Sequence, residues 1–591
     1  MQPYSIKRNS LWIALLCVSV FMINIGSFLP VRYESNDDFA IVLELNGFLP
    51  GKDCFFLNPV TSHMLHRLYR AVPGLPWYGF YLYSGILLSY TLILGVFLRS
   101  NDRFAFLSAT PFIFIVFFHC FVFASFTSAS LLLLFAVFLC LLEWALTENC
   151  PIHEERTYLF LLTLALVMSF SLRWNLVQFA SILVFSVVIV GRLSFFRKTL
   201  PVWAGFFFLL LLSFWLLFHQ YSKDNRFFFQ YSNIRGIFHD TDRGEYYGDL
   251  TLRAISKAGW DMEDFILFRN YWFLHDINRS NTSSISLFTK ENNPTGQIPF
   301  FRQVAQRMSL HFQGSKTVTL ILFCTLSAVF IRNLASLRRQ TITKPFRQGL
   351  AIGIVVAGAL FLMYYRFVPR VYMPLYCYVA GTFFVILDRL EKPDPVGGSK
   401  RNPTEIFLVV ALALTLTAAG LTWSKTASLL QHVFARRAEK EQIDRKLSMV
   451  AMNRPHLDTV LLIPLDPNSN LLQEAVHPLK EVADFTSIPV LPAGWLIHSK
   501  GYLRILRHHG LQNGNELLRW SIDNPAAIWF EYIEKTSKTP VTRLVESYFN
   551  KHISPGRKMS MQPVFDFRNQ HGLGLVCYRL FEVMPHLSGS P

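Results

Sequence analysis

The sequence predicts a mainly α fold: a polytopic membrane helical bundle of about 11 spans with a small C-terminal extracytoplasmic α/β domain. Three observations predict it. Apolar runs such as 131–142 and 206–218 are too long and too apolar for a soluble core, and they recur through residues 1–424. The short segments between runs collect Lys and Arg at alternate connections, as the positive-inside rule requires. Beyond residue 425 the long apolar runs stop, and short β-like and helical patterns alternate. The net charge of +17 is spread over these connections rather than gathered in one patch, so the expected contact is membrane lipid and not nucleic acid.

In chain order, Lys7 and Arg8 precede an apolar run at 11–29 that has no small-residue cleavage site at its end, and it reads as a retained anchor. Further spans are expected at 78–98, 104–123, 128–146, 157–171, 174–191, 201–219, 316–332, 348–365, 370–388 and 405–423. The inner connections then hold Arg99 and Arg103, Arg156, Arg192 with Arg197 and Lys198, the basic residues of 332–347, and those of 389–401. This puts the N-terminus in the cytoplasm and the loops 30–77 and 220–315 outside, together with the tail domain 425–591.

The first outer loop opens with Arg32-Tyr33-Glu34-Ser35-Asn36-Asp37-Asp38-Phe39. Two adjacent carboxylates at the mouth of a membrane helix are costly unless water, cations or a substrate meet them; an ordinary solvated loop start is the alternative. Asn58-Pro59 reads as an N-cap with proline at the first helical position, and Val60, Met64, Leu65 and Leu68 repeat at helical spacing behind it. That pattern predicts an amphipathic helix on the membrane surface, with His63 and His66, three apart, on a solvated face; a shared ligand is the alternative.

The second outer loop is long and aromatic, and its length and composition argue for an ordered, functional segment. It carries Asp240, Asp242, Arg243 and Glu245, the stretch Gly259-Trp260-Asp261-Met262-Glu263-Asp264-Phe265, and two glycosylation-like triplets at Asn278 and Asn281. Arg366 and Arg370 stand four apart at the outer end of two spans. They either snorkel to lipid phosphates or hold a phosphate at the interface. In the tail, 459–465, 527–532 and 574–583 read as strands, 502–508 and 541–550 as helices, and Gly494-Trp495 as a turn.

Of eight cysteines, Cys17, Cys120, Cys140, Cys324 and Cys377 fall within apolar runs, and no CxxC pair is present. Cys54 and Cys577 face outward in this topology, as independent thiols or as a pair. The stretch Gly47-Phe48-Leu49-Pro50-Gly51-Lys52-Asp53 is one residue too short for a phosphate loop, and no metalloprotease, serine-hydrolase or dinucleotide fingerprint occurs.

An acidic pair after the first span, a surface helix in the first outer loop, a large later outer loop and an outward tail domain together resemble the GT-C superfamily of integral membrane glycosyltransferases. The motif that carries the resemblance is Asn36-Asp37-Asp38, and the layout extends over the whole chain. The Gly259-Trp260-Asp261 and Gly494-Trp495 regions resemble bacterial membrane proteins of this general type, which implies the bacterial inner membrane. The resemblance implies a polyprenyl-phosphate-linked sugar donor and a glycan, lipid or protein acceptor. It implies Asp37 as general base, with Asp38 positioning the acceptor or holding a divalent cation, the only cofactor suggested. Arg366 and Arg370, with Arg243 in reserve, are the expected lipid-phosphate contacts, and Asp240, Asp242 and Glu245 are second-site acids. The alternatives are a polysaccharide polymerase or ligase and, beyond it, a transporter or flippase of lipid-linked sugars.

Overall fold

The computed structural model describes residues 9–29, 31–33, 36–54, 56–99, 114, 116–147, 155–173, 187–191, 193–220, 223–239, 244–269, 275–293, 369–388, 431, 446, 449–450, 460–465, 478–479, 489–492, 497–522, 524–533, 541–568 and 574–583. The spans expected at 316–332, 348–365 and 405–423, most of those at 104–123 and 174–191, and Cys324 and Trp495 lie outside the described residues.

Among the described residues four helices are long and apolar enough to cross a membrane: α1 (Ser10–Phe28), α4 (Trp77–Leu98), α5 (Phe126–Thr147) and α6 (Glu155–Leu172). The expected spans at 201–219 and 370–388 are helical as well, within α7 (Leu193–Gln220) and α12 (Pro369–Asp388). The chain is therefore a mainly helical, membrane-associated protein.

Helix α5 is the hub. It is apolar on every side, as a helix enclosed by others must be, and α4, α6 and α12 pack around it. Between apolar helices small polar side chains supply cohesion. Ser130 and Ser169 each donate to the other's carbonyl at 2.8 Å, joining α5 to α6. At one end of the bundle Arg99 pairs with Glu143, donating from Nε at 3.1 Å, and also reaches Ser10 Oγ at 3.1 Å, so α1, α4 and α5 share one buried charge pair. Helix α1 leaves Trp12, Leu16, Val20, Ile23 and Phe28 exposed, and Cys17 is exposed on it rather than in a core. An apolar stripe of that extent fits contact with lipid.

At the other end of the bundle, β1 (Arg32–Tyr33) runs parallel to β2 (Phe123–Ala124), and α2 (Asn36–Asn46) follows at once. Helix α3 (Pro59–Ala71) starts as expected: Asn58 Oδ1 accepts from the Val60 N–H at 3.0 Å, with Pro59 at the first helical position. Its face is rotated from the expected one. Thr61, Ser62, Leu65 and Tyr69 are buried, while Val60 and Met64 are exposed, because Ser62 and Tyr69 are drawn inward by backbone partners at Cys54 and Tyr78.

The tail carries a four-stranded mixed sheet in the order β3 (Leu461–Pro464), β4 (Ala527–Ile533), β6 (Gly574–Glu582), β5 (Met559–Asp566), with β3 and β4 parallel and the other pairs antiparallel. Both faces are covered, and the alternation of side chains decides which residues go where. Leu462, Ile528, Phe530 and Cys577 join the core of the bundle end. Leu461, Ile463, Trp529 and Val576 join a second core with α8 (Lys223–His239), α9 (Asp249–Ala258), α10 (Met262–Arg269) and α11 (Thr282–Glu291), through Phe238, Trp260, Phe268 and Phe288. The aromatic residues of the long loop are thus the second half of the tail domain's core. Helices α13 (Lys500–His508), α14 (Gly514–Trp520) and α15 (Val541–Tyr548), with a π-helix at Phe549–Ile553, complete it.

Candidate functional site

The acidic pair lies at the N-terminus of α2, where the first loop, α5 and α12 meet, and the two carboxylates have different surroundings. Asp38 is fully buried. Its Oδ1 accepts from the Tyr78 hydroxyl at 2.6 Å and from the Phe126 N–H at 2.9 Å. Phe126 is the first residue of α5, and its N–H is one of the donors that a helix cannot satisfy internally. Ser125 and Ser128 cap the same turn: Ser125 Oγ accepts from the Ser128 N–H at 3.2 Å, and Ser128 Oγ from the Ser125 N–H at 3.3 Å. Asp38 completes that cap from a distant part of the chain, with its charge against the positive end of the helix dipole. Tyr33 packs at a tilt beside Tyr78, ring centres 5.7 Å apart, and burial, with Tyr69 and Asp38 nearby, holds its hydroxyl well above its ordinary pKa, so it stays neutral.

Asp37 faces the other way. Its Oδ2 lies 3.7 Å from Arg370 Nη2, and the two side chains keep 11% and 16% of their surface open to solvent. At that separation the two attract electrostatically without a hydrogen bond, which leaves both groups with unspent capacity. Arg370 is the second residue of α12, and more than three hundred residues of sequence separate it from Asp37 (370 against 37).

Among the described residues two further arginines stand at this end of the bundle. Arg173, just past α6, donates to Thr127 Oγ1 and lies 5.3 Å from the centre of the Phe126 ring. Arg32 lies over the Phe123 ring at 4.8 Å. Neither was marked by sequence reasoning, although Arg173 ends an apolar run on the side expected to be poor in basic residues, the same signal that marked Arg366 and Arg370.

Arg366, Arg243, Asp240 and Asp242 lie outside the described residues. Glu245 is described and is not brought to the acidic pair. It is exposed, pairs with Arg269 at 2.6 Å, and its carbonyl accepts from Asn292 at 2.9 Å. Among the described residues Asp38 belongs to no cluster able to share an ion. Such a cluster is formed by Asp261, Asp264 and His552, on the tail side. His63 is 3.8 Å from Asp53, which also meets Lys500 at 3.2 Å; these contacts tie the first loop to α13. The Arg504 guanidinium packs directly against Gly51, so a side chain there would displace it. Cys54 and Cys577 are both buried and free.

Fold and site together define a class: a membrane-associated helical bundle whose one end, capped by a mixed α/β domain, presents a largely buried Asp–Arg pair among arginines. Comparison with known protein families and with curated proteins finds no match to either.

Proposed function

We propose that the chain is an integral membrane glycosyltransferase that moves a sugar from a polyprenyl-phosphate carrier to a glycan, lipid or protein acceptor. The observation that supports it above all is the meeting of Asp37 with Arg370 at 3.7 Å. A sugar on a lipid phosphate already carries its leaving group. The transfer therefore needs a carboxylate to take the acceptor hydroxyl proton and a cation to hold the phosphate as the anomeric carbon–oxygen bond breaks. Asp37 and Arg370 are those two groups in this reading. When the donor enters, its phosphate takes Arg370 by charge-assisted hydrogen bonds, and Asp37 is released toward the acceptor. Asp38 is a positioning residue that holds Asp37 through α2. Arg366 and Arg243 are proposed as further phosphate contacts, and Asp240, Asp242 and Glu245 as second-site acids. The reading includes eleven spans, a cytoplasmic N-terminus, an extracytoplasmic tail domain and a place in the bacterial inner membrane.

The test is turnover and binding of a panel of polyprenyl-phosphate sugars by the purified protein. Asp37→Asn is expected to lower turnover by about 10²–10⁴-fold with carrier binding retained. Arg370→Ala is expected to weaken carrier binding, and Arg370→Lys to restore part of it, since the planar fork is lost. Unchanged turnover in Asp37→Asn removes the general base. Failure of the wild type to bind any member of the panel removes the donor class and favours the polymerase or ligase reading.

A further inference from the structure

Two acids of the stretch Gly259–Phe265 organise the start of α10. Asp261 caps α10 and Asp264 answers three residues on. The Asp264 N–H donates to Asp261 Oδ1 at 2.8 Å, and the Asp261 N–H donates to Asp264 Oδ2 at 3.0 Å. This reciprocal cap uses one oxygen of each carboxylate. The remaining oxygens, Asp261 Oδ2 and Asp264 Oδ1, both turn to His552, whose Nε2 lies 3.6 Å from each. All three atoms lie within 4.8 Å of one another.

Three features separate this cluster from an ordinary surface ion-pair network. The Asp264 side chain is fully buried, yet its Oδ1 has no hydrogen-bond partner. A buried carboxylate oxygen left that way is costly unless something else meets it. The 3.6 Å separations are too long for hydrogen bonds, and they are close to the roughly 3.3 Å between ligand atoms around a tetrahedral ion bound at 2.0–2.1 Å. His552 is presented by a π-helix, a rare element whose extra residue re-aims side chains.

We propose that Asp261 Oδ2, Asp264 Oδ1 and His552 Nε2 bind one divalent transition-metal ion of the zinc class, a site separate from the Asp37–Arg370 pair and independent of its activity. The imidazole nitrogen selects such an ion over calcium or magnesium, which prefer all-oxygen sites. The ion clips α10 of the long loop to the C-terminal π-helix, across 288 positions of sequence (552 less 264). The contacts around it serve the same joint: Ser547 Oγ donates to Glu263 at 2.8 Å, and the Tyr548 hydroxyl and the Asn515 amide both donate to Asp276, the latter at 2.7 Å. Two cations already touch the acids. Arg279 holds Asp264 through Oδ2, the oxygen the ion does not need. Lys551 sits on Asp261 Oδ2, but half its side chain is exposed, so its flexible stem can move out as the metal enters. Lys551 is therefore the metal's competitor.

The experiment uses the full chain in detergent, tag removed and stripped with chelator, titrated with Zn²⁺ by calorimetry and with Co²⁺ by absorption. One equivalent of Zn²⁺ is expected to bind and raise the thermal midpoint, and Co²⁺ is expected to show the d–d bands of a tetrahedral site. His552→Gln and Asp261→Asn are each expected to weaken binding by at least about tenfold. Lys551→Ala supplies the arm that does not depend on loss of function. Removing the competitor is expected to tighten zinc binding, whereas in a pure salt-bridge network the same change only destabilises. No stoichiometric zinc in the wild type, no gain in Lys551→Ala, or binding unaffected by His552→Gln overturns the proposal.

Discussion

Replacing Asp38 separates its structural duty from the chemistry proposed for its neighbour. In Asp38→Ala the Tyr78 hydroxyl and the Phe126 N–H both lose their acceptor inside a site closed to water. Each hydrogen bond to a charged group is worth about 1.5–3 kcal/mol. Facing the first turn of a helix adds up to about 2 kcal/mol in a partly buried setting. The two donors find other partners in the membrane-embedded unfolded state, which trims the sum. A loss of about 3–6 kcal/mol is therefore expected for Asp38→Ala. For Asp38→Asn about 1–3 kcal/mol is expected, since the amide oxygen still accepts but carries no charge. The assay is unfolding in micelles with a double-mutant cycle against Tyr78→Phe, whose coupling to Asp38→Ala should be about 1.5–3 kcal/mol. Asp37→Asn, whose carboxylate makes no hydrogen bond to Arg370, should stay within about 1 kcal/mol of wild type. A stable Asp38→Ala, or a coupling near zero, would show that Asp38 does not anchor α5, and the division of labour between the two acids would fail with it.

Two further perturbations read the fold without any substrate. Glu143→Ala leaves Arg99 charged and buried and is expected to cost about 3–5 kcal/mol, while the double change Arg99→Met with Glu143→Leu should recover most of it; thermal stability in detergent decides. His275 is fully buried against the Tyr502 hydroxyl at 2.9 Å, and burial, reinforced by His498, lowers its pKa from 6.5 to about 3. The folded state therefore refuses a proton that the unfolded state accepts below 6.5, so stability is full above that pH and falls as pH drops toward 3. At pH 5 the loss is about 2 kcal/mol, and His275→Gln should flatten that part of the pH–stability curve.

What was legible in the sequence is what local pattern controls. Apolar runs identified α1, α4, α5 and α6, and Asn58-Pro59 fixed the start of α3. The strands β3, β4 and β6 and the helices α13 and α15 follow from their own periodicity. Strand β5 was missed because it is an edge strand with Pro563 and a bulge inside it, which break the alternation. The short helix α14 was missed too, since its seven residues span under two full turns. The face of α3 was read from apolarity alone, whereas hydrogen bonds to Ser62 and Tyr69 turned it. For the site, the acidic pair and Arg370 were visible as charges out of place. The partners of Asp38 were not, because which backbone N–H lies above a carboxylate is decided by how α5 packs and not by any spacing in the chain.

That dependence on α5 is also what joins the two halves of the site. Arg370 is carried by α12, and α12 is seated on α5 by ring stacking of Tyr378 on Phe135 at 4.9 Å and by the close approach of Gly381 to Leu139. On its other side Phe384 stacks on Phe97 of α4 at 4.0 Å. Asp37, in turn, is placed by α2, whose first turn is fastened to the N-terminus of α5 through Asp38. Both members of the Asp37–Arg370 pair are therefore positioned by one helix, from distant parts of the sequence. A rigid common support keeps a 3.7 Å ion pair aligned although no hydrogen bond locks it. It follows that an Asp38 substitution which leaves the protein folded should still loosen the Asp37–Arg370 pair, whereas an Asp37 substitution should leave the α5 cap untouched.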